Sequence, residues 1–252
     1  MDIILKTKKL CKNFQIGEAE QQVLKELDIE IYSGDFTVIM GASGSGKSTL
    51  LYALSGMDKP TSGSIQYKEQ NIAELSQDEL AVFRSRNCGF VFQQIYLVDS
   101  MSVLDNVMLS GLLKNKDKKA VLAKAKTVLN SVGIADTHFK KFPSQLSGGE
   151  AQRAAVARAV VGSPQIVFAD EPTGALDSQN SKAVLDVLTE LNNQGQSIVM
   201  VTHDTYSARR GNRILYLRDG KVEGELKLDK YNQNDDAARK TKVKEFLSSR
   251  GW

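Results

Sequence analysis

The chain is predicted to adopt an α/β fold, a mixed sheet with helices packed on it, and three observations predict it. The apolar run Phe36–Met40 leads straight into a glycine-rich loop, which opens the helix former Thr49–Leu54. Beyond Pro164, strand-like runs (Gln165–Ala169, Ser197–Thr202, Ile214–Leu217) alternate with helical pattern, which argues for parallel strands. From about Met101 to Gly162 the pattern becomes helical, so a helical insert interrupts the core.

The elements can be justified in order. Ile3–Leu10, Val23–Tyr32 and Phe36–Met40 are rich in β-formers, and Ser33-Gly34-Asp35 supplies a turn before the last of them. Leu27, Ile29 and Ile31 alternate with Asp28 and Glu30, the pattern of a half-buried strand. A turn at Thr61–Gly63 precedes Ser64–Tyr67, so an antiparallel β-layer is expected near the N-terminus. Ser76 with Glu79 is a capping box that opens a helix. Val121, Ala125, Val128, Leu129 and Val132 share one face of a helix over Lys118–Val132, and Lys119, Lys124 and Lys126 form a solvated surface on its other faces. A further helix is predicted near Lys182–Asn192, and Asp219-Gly220 is a hairpin signal. The tail is polar to Asp235. A short basic helix follows, with Val243, Phe246 and Leu247 on one side, expected to pack on the protein's own core with Trp252 as its anchor.

Size and composition bound the function. The 252 residues suffice for a sizeable core, and 41% hydrophobic with 25% charged residues is an ordinary globular balance. A formal charge of +3 gives no argument for a nucleic-acid partner. No apolar run is long enough to span a membrane and no secretion signal is visible. Cys11 and Cys88 read as buried free thiols, which places the chain in the cytoplasm.

Gly41–Ser48 reads GASGSGKS and satisfies G-x-x-x-x-G-K-[ST] in the required strand–loop–helix context. Gly41, Gly44 and Gly46 let successive backbone N–H groups turn inward on anionic oxygens, and the positive end of the following helix points to the same place. Ala42, Ser43, Ser45 and Thr49 complete the cradle. Lys47 brings a mobile charge to the outer phosphates, and the Ser48 hydroxyl can hold a Mg²⁺ that bridges them. The chain therefore binds a nucleoside triphosphate on a P-loop NTPase core. Ile166–Glu171 is an apolar strand tipped by two acids. Parallel strands deliver their C-terminal ends to one crevice, which puts Asp170 near the Mg²⁺. Glu171 points elsewhere, toward an attacking water that it can orient and deprotonate.

Leu146-Ser-Gly-Gly-Glu150 followed by Ala-Gln-Arg153 resembles the signature sequence of ABC-type ATPases, and the resemblance runs from about Leu5 to Gly224. It implies an ATPase domain over residues 1–228 with a signature-bearing helical subdomain at about 94–162, and a separate tail at 229–252. It also implies that Ser147, Gly148 and Gly149, with Asp177, contact the ATP of a second subunit, so that a homodimer sandwiches two ATP molecules. Gln93 matches the glutamine that touches Mg²⁺ and water and senses a membrane partner. His203 matches the histidine at the γ-phosphate, so Glu171, His203 and Gln93 form the implied catalytic set. His138 matches nothing and is read as a surface residue. Phe14 stands where the family usually offers a tyrosine to stack on adenine, and a phenyl face serves as well. Glu150 replaces the usual glutamine. It is expected to point away from the triphosphate and cap its own helix.

Gly41–Leu50, Ser102–Val107 and Asp170–Ser178 resemble the branch of macrolide-exporter, lipoprotein-release and bacitracin-resistance ATPases. That resemblance implies a subunit on the cytoplasmic face of the membrane, driving a separate integral permease in antimicrobial-peptide or drug resistance or export. A cell-division ATPase that controls cell-wall hydrolysis and a soluble iron–sulfur assembly ATPase are the alternatives.

Overall fold

The computed structural model describes residues 2–17 and 19–252. Strands β1 (Ile3–Ile16), β2 (Ala19–Leu27) and β3 (Glu30–Tyr32) precede β4 (Phe36–Met40), the glycine-rich loop and α1 (Lys47–Leu54). There follow β5 (Ser62–Tyr67), β6 (Gln70–Asn71), α2 (Gln77–Asn87) and β7 (Cys88–Phe92). Three helices come next: α3 (Val103–Lys114), α4 (Lys118–Ser131) and α5 (Gly148–Val160). The chain then runs through β8 (Ile166–Asp170), α6 (Ser178–Asn193), β9 (Ser197–Val201), α7 (Thr205–Ala208), β10 (Arg213–Arg218), β11 (Lys221–Lys227) and α8 (Asp236–Ser248).

Two sheets result. The larger has the order β11-β10-β4-β9-β8-β7, parallel from β10 to β7 with β11 antiparallel at its edge. The smaller is antiparallel, with the order β2-β1-β5-β6 and β3 paired to β1. The parallel strands β4, β8 and β9 are buried along their whole length, which is why they read as unbroken apolar runs rather than alternation. One core lies between the large sheet and α3 to α8, and the second between the two sheets and α1.

The structure refines the sequence reading in three places. β1 continues to Ile16 because it forms a long hairpin with β2, exposed at Phe14, Gln15 and 19–22, which therefore carries no periodic signal. The run Val23–Tyr32 divides into β2 and β3 at Asp28, whose carboxylate accepts the Lys9 N–H at 2.6 Å. Helix α6 begins earlier than Lys182 because Asp177 caps it through the Asn180 N–H. Asp219 and Gly220 both take positive φ in a two-residue hairpin turn. Helix α8 buries Val243, Phe246 and Leu247 in the same core as the large sheet. Both cysteines are free. Cys11 is buried and Cys88 partly so. Among the described residues no helix is long and apolar enough to cross a membrane.

Candidate active site

The C-terminal ends of β4, β8 and β9 meet at one cavity of about 700 Å³, and the glycine-rich loop forms its floor. Gly44 and Gly46 have φ of 78° and 99°, which a side chain would resist, and Gly46 opens α1 from that left-handed conformation. A Cβ at Gly41 would collide with the Leu217 carbonyl and the Ser45 hydroxyl. The Ser45 hydroxyl oxygen is itself buried without a partner among the described residues, as expected of a loop shaped around something else.

Lys47 folds back over the loop and donates from Nζ to the Gly41 and Ala42 carbonyls, both at 2.9 Å. Burial lowers its pKa, against the opposing pull of Glu171 and Asp170. Asp170 is buried at the end of β8 and accepts two hydrogen bonds. Ser48 Oγ donates to Oδ1 at 2.9 Å and Tyr52 OH donates to Oδ2 at 2.7 Å. Burial, and then the Asp170 carboxylate, push the Tyr52 phenol up to about 12.

Glu171 diverges from its neighbour. Its φ of 46° turns the backbone out of the strand, and its N–H donates to the Val201 carbonyl at 3.0 Å. Its Oε1 accepts the His203 N–H at 3.2 Å and lies 2.9 Å from His203 Nδ1. The His203 ring is 66% exposed, so this pair faces the open cavity while Asp170 faces α1. One carboxylate can thus hold a cation beside Ser48, and the other can act on a water.

Ser43, Gly44, Gly46, Lys47, Ser48, Thr49, Glu171 and His203 all line the cavity, and Val23 and Trp252 join them. Other expected residues lie outside it. Phe14 is exposed on the β1–β2 hairpin, with the Lys12 ammonium 4.9 Å above its ring. Gln93 follows β7 and packs against the backbone of Gly174. Ser147–Gly149 open α5, and Asp177 caps α6 beside them. Gly149 fits there because a Cβ would strike the Asn180 side chain.

Ser147 forms a capping box with Glu150. Ser147 N–H and Oγ–H both donate to Glu150 Oε2 at 2.8 Å, and Ser147 Oγ accepts the Glu150 N–H at 3.3 Å. The Ser147 donors hold the Glu150 carboxyl below its usual range, with His138 and Lys141 adding to the effect. His138, read as a plain surface residue, brings Nε2 to 3.4 Å from Glu150 Oε1.

Three contributors escaped the sequence reading. Tyr52 had a signal, since it stands one helical turn beyond Ser48 and shares its face. Gln152 had none. It donates from Nε2 to the carbonyls of Phe92 and Pro172 at 2.9 and 2.8 Å, tying α5 to the strand ends beside the site. Trp252, expected as an anchor, does pack edge-on against Tyr216, yet it also lines the cavity.

Fold and site together define a phosphate-loop nucleotide triphosphatase. Residues 24–174 match the ABC transporter family, and the chain belongs to that family. It is 42% identical over 219 residues to an uncharacterized ABC transporter ATP-binding protein of Methanocaldococcus jannaschii, covering 87% of this chain and 97% of that protein. It is 39% identical over 249 residues to the bacitracin export ATP-binding protein BceA of Halalkalibacterium halodurans, covering 98% of this chain and 96% of the relative. The fold matches a dimeric ATP-binding cassette in a post-hydrolysis state bound to ADP and Pi, with a TM-score of 0.81 and 38% identity over 90% of this chain and 100% of that one. The chain is an ATP-binding, ATP-hydrolysing cassette of the ABC type.

Proposed function

We propose that two copies of this chain close around two ATP molecules and use hydrolysis to drive a separate membrane permease, in the export of, or resistance to, antimicrobial peptides or drugs. The observation that carries the pairing is the position of the Ser147 turn. It sits outside the chain's own cavity, at an exposed helix start with N–H groups to offer an anion, while the cavity stays open above Lys47. The dimeric, nucleotide-bound neighbour supports the same arrangement.

Ser48 and Asp170 supply hard oxygen donors of the kind Mg²⁺ takes, beside a loop shaped for phosphates. A Mg²⁺ there would neutralise charge on the outer phosphates. Glu171 orients the attacking water and takes its proton, and His203 holds that carboxylate and reaches the γ-phosphate. Lys47 exchanges its two carbonyl partners for phosphate oxygens.

A second groove, of about 500 Å³, supports a permease partner. It runs between α2, β7 and α3, and Tyr96 (62% exposed) and Leu113 (70% exposed) present large apolar surface there. Gln93 follows Phe92 of this groove and packs against Gly174, which supports its reading as the residue that senses the partner. The export or resistance role rests on the likeness to BceA along nearly the whole chain. That role places the chain at the cytoplasmic membrane face.

The test is sedimentation of Glu171→Gln with Mg·ATP. The amide keeps an acceptor for His203 but loses the base, so ATP stays bound and a dimer accumulates. Adding Ser147→Arg returns it to monomer with ATP still bound. A dimer that persists in the double variant rejects the sandwich.

A further inference from the structure

We propose that Trp252 is a nucleotide-binding residue, its indole walling the outer-phosphate end of the cavity. This rests on the reading of the loop as an ATP site. Trp252 shares the cavity with Ser43, Lys47, Glu171 and His203 although it lies 49 residues beyond the last of them in sequence (252 less 203).

Its position is fixed by packing. Helix α8 is seated by Val243, Phe246 and Leu247. The chain then turns back, and the Trp252 N–H donates to the Leu247 carbonyl at 3.2 Å. Arg250 lays its guanidinium 4.2 Å over the Phe246 ring and donates to the Phe246 carbonyl at 3.2 Å. A Cβ at Gly224 would collide with that guanidinium, so β11 leaves a slot for it. Arg218 donates to the Arg250 carbonyl at 3.3 Å. The indole meets Tyr216 edge-on at 6.1 Å, and Tyr216 pairs in register with Met40, the residue before Gly41.

The shared lining selects the phosphate end. Trp252 lines the cavity together with Glu171 and His203, the two residues that the proposed function sets at the γ-phosphate. It remains 42% exposed. An indole offers a phosphate a donor N–H and a wall that excludes water.

Trp252 is the single tryptophan of the chain, so its emission reports this site alone. The experiment uses the full chain carrying Glu171→Gln and Ser147→Arg, which binds ATP without pairing. ATP binding is measured independently by equilibrium dialysis. Mg·ATP is expected to change the emission with the same half-saturation as dialysis, and ADP to change it less. Adding Trp252→Ala should raise the ATP dissociation constant about threefold to tenfold and that of ADP less, with Trp252→Phe recovering most of the loss. Bound ATP with unchanged emission overturns the proposal. So does a Trp252→Ala variant that loses stability yet binds ATP like its parent, the result of an anchor alone. Absence of ATP binding in the parent variant instead rejects the ATP-site reading beneath it.

Discussion

Replacing Tyr52 by Phe removes one oxygen and leaves the ring, so it isolates a single hydrogen bond. That bond runs 2.7 Å from the phenol to Asp170 Oδ2, on a carboxylate that is itself buried. A hydrogen bond to an ionised acceptor contributes about 1.5–3 kcal/mol, and a buried acceptor left short of a donor falls in the upper part of that range. Tyr52→Phe should therefore lower the unfolding free energy at pH 8 by about 2–3 kcal/mol. The pH dependence carries a second signature. The folded-state phenol is held at about 12, above its ordinary value of 10.0, first by burial and then by Asp170. Above pH 10 the unfolded chain gives up this proton first. The contribution of the neutral phenol is thus complete below pH 10 and is lost as pH rises toward 12. With screening at a half-buried site the loss amounts to about 1–2 kcal/mol. The assay is urea unfolding of both proteins from pH 8 to pH 11.5, with the difference between them as the readout. A variant as stable as the wild type at pH 8, or a difference that stays constant through pH 11.5, would refute the assigned bond.

Lys47→Ala should weaken ATP binding by about 2–5 kcal/mol in equilibrium dialysis, since the triphosphate loses a charged, hydrogen-bonding partner, while the fold remains. Unchanged binding rejects the loop assignment. Burial pushes the Cys88 thiol up to about 12, with Arg84 opposing. Its thiolate fraction at pH 8 is about 10⁻⁴, so iodoacetamide should label it roughly a thousandfold more slowly than an unperturbed thiol, with the rate rising about tenfold per pH unit. Labelling as fast as a free thiol contradicts that burial. Ser147→Ala removes the capping box of α5 and should cost about 1 kcal/mol in unfolding free energy while sparing ATP binding by the single chain. A neutral effect on stability would show that the cap is not formed.

The phosphate loop was legible because its demands are local: glycines for positive φ, one lysine, one hydroxyl, and a strand before a helix. The divergence of Asp170 and Glu171 was legible for a similar reason, because neighbouring residues at a strand end leave it on different sides. Here Asp170 turns to Ser48 and Glu171 to His203. What escaped depends on distant partners. Gln152 bonds a carbonyl 60 residues away, and no periodicity encodes such a reach. The β1–β2 hairpin hid its length because its exposed end has no buried face to impose alternation. Trp252 was legible as an apolar anchor but not as part of the cavity. That placement follows from the fold of α8 back across β10.

Glu150 links the local and the distant. A carboxylate in the signature turn looked incompatible with a triphosphate, and it is accommodated by pointing back onto Ser147. The cost is that the Ser147 hydroxyl proton is already engaged by an anion at 2.8 Å. In the proposed sandwich a phosphate oxygen of the second copy must displace one anionic acceptor with another, so this hydroxyl adds little net energy to closure. The drive must then come from groups that give up no such partner among the described residues: the Gly148 and Gly149 N–H groups that open α5, and the charges that the loaded cavity holds. On that reasoning each turn recognises only a filled site, and an empty copy has nothing with which to close.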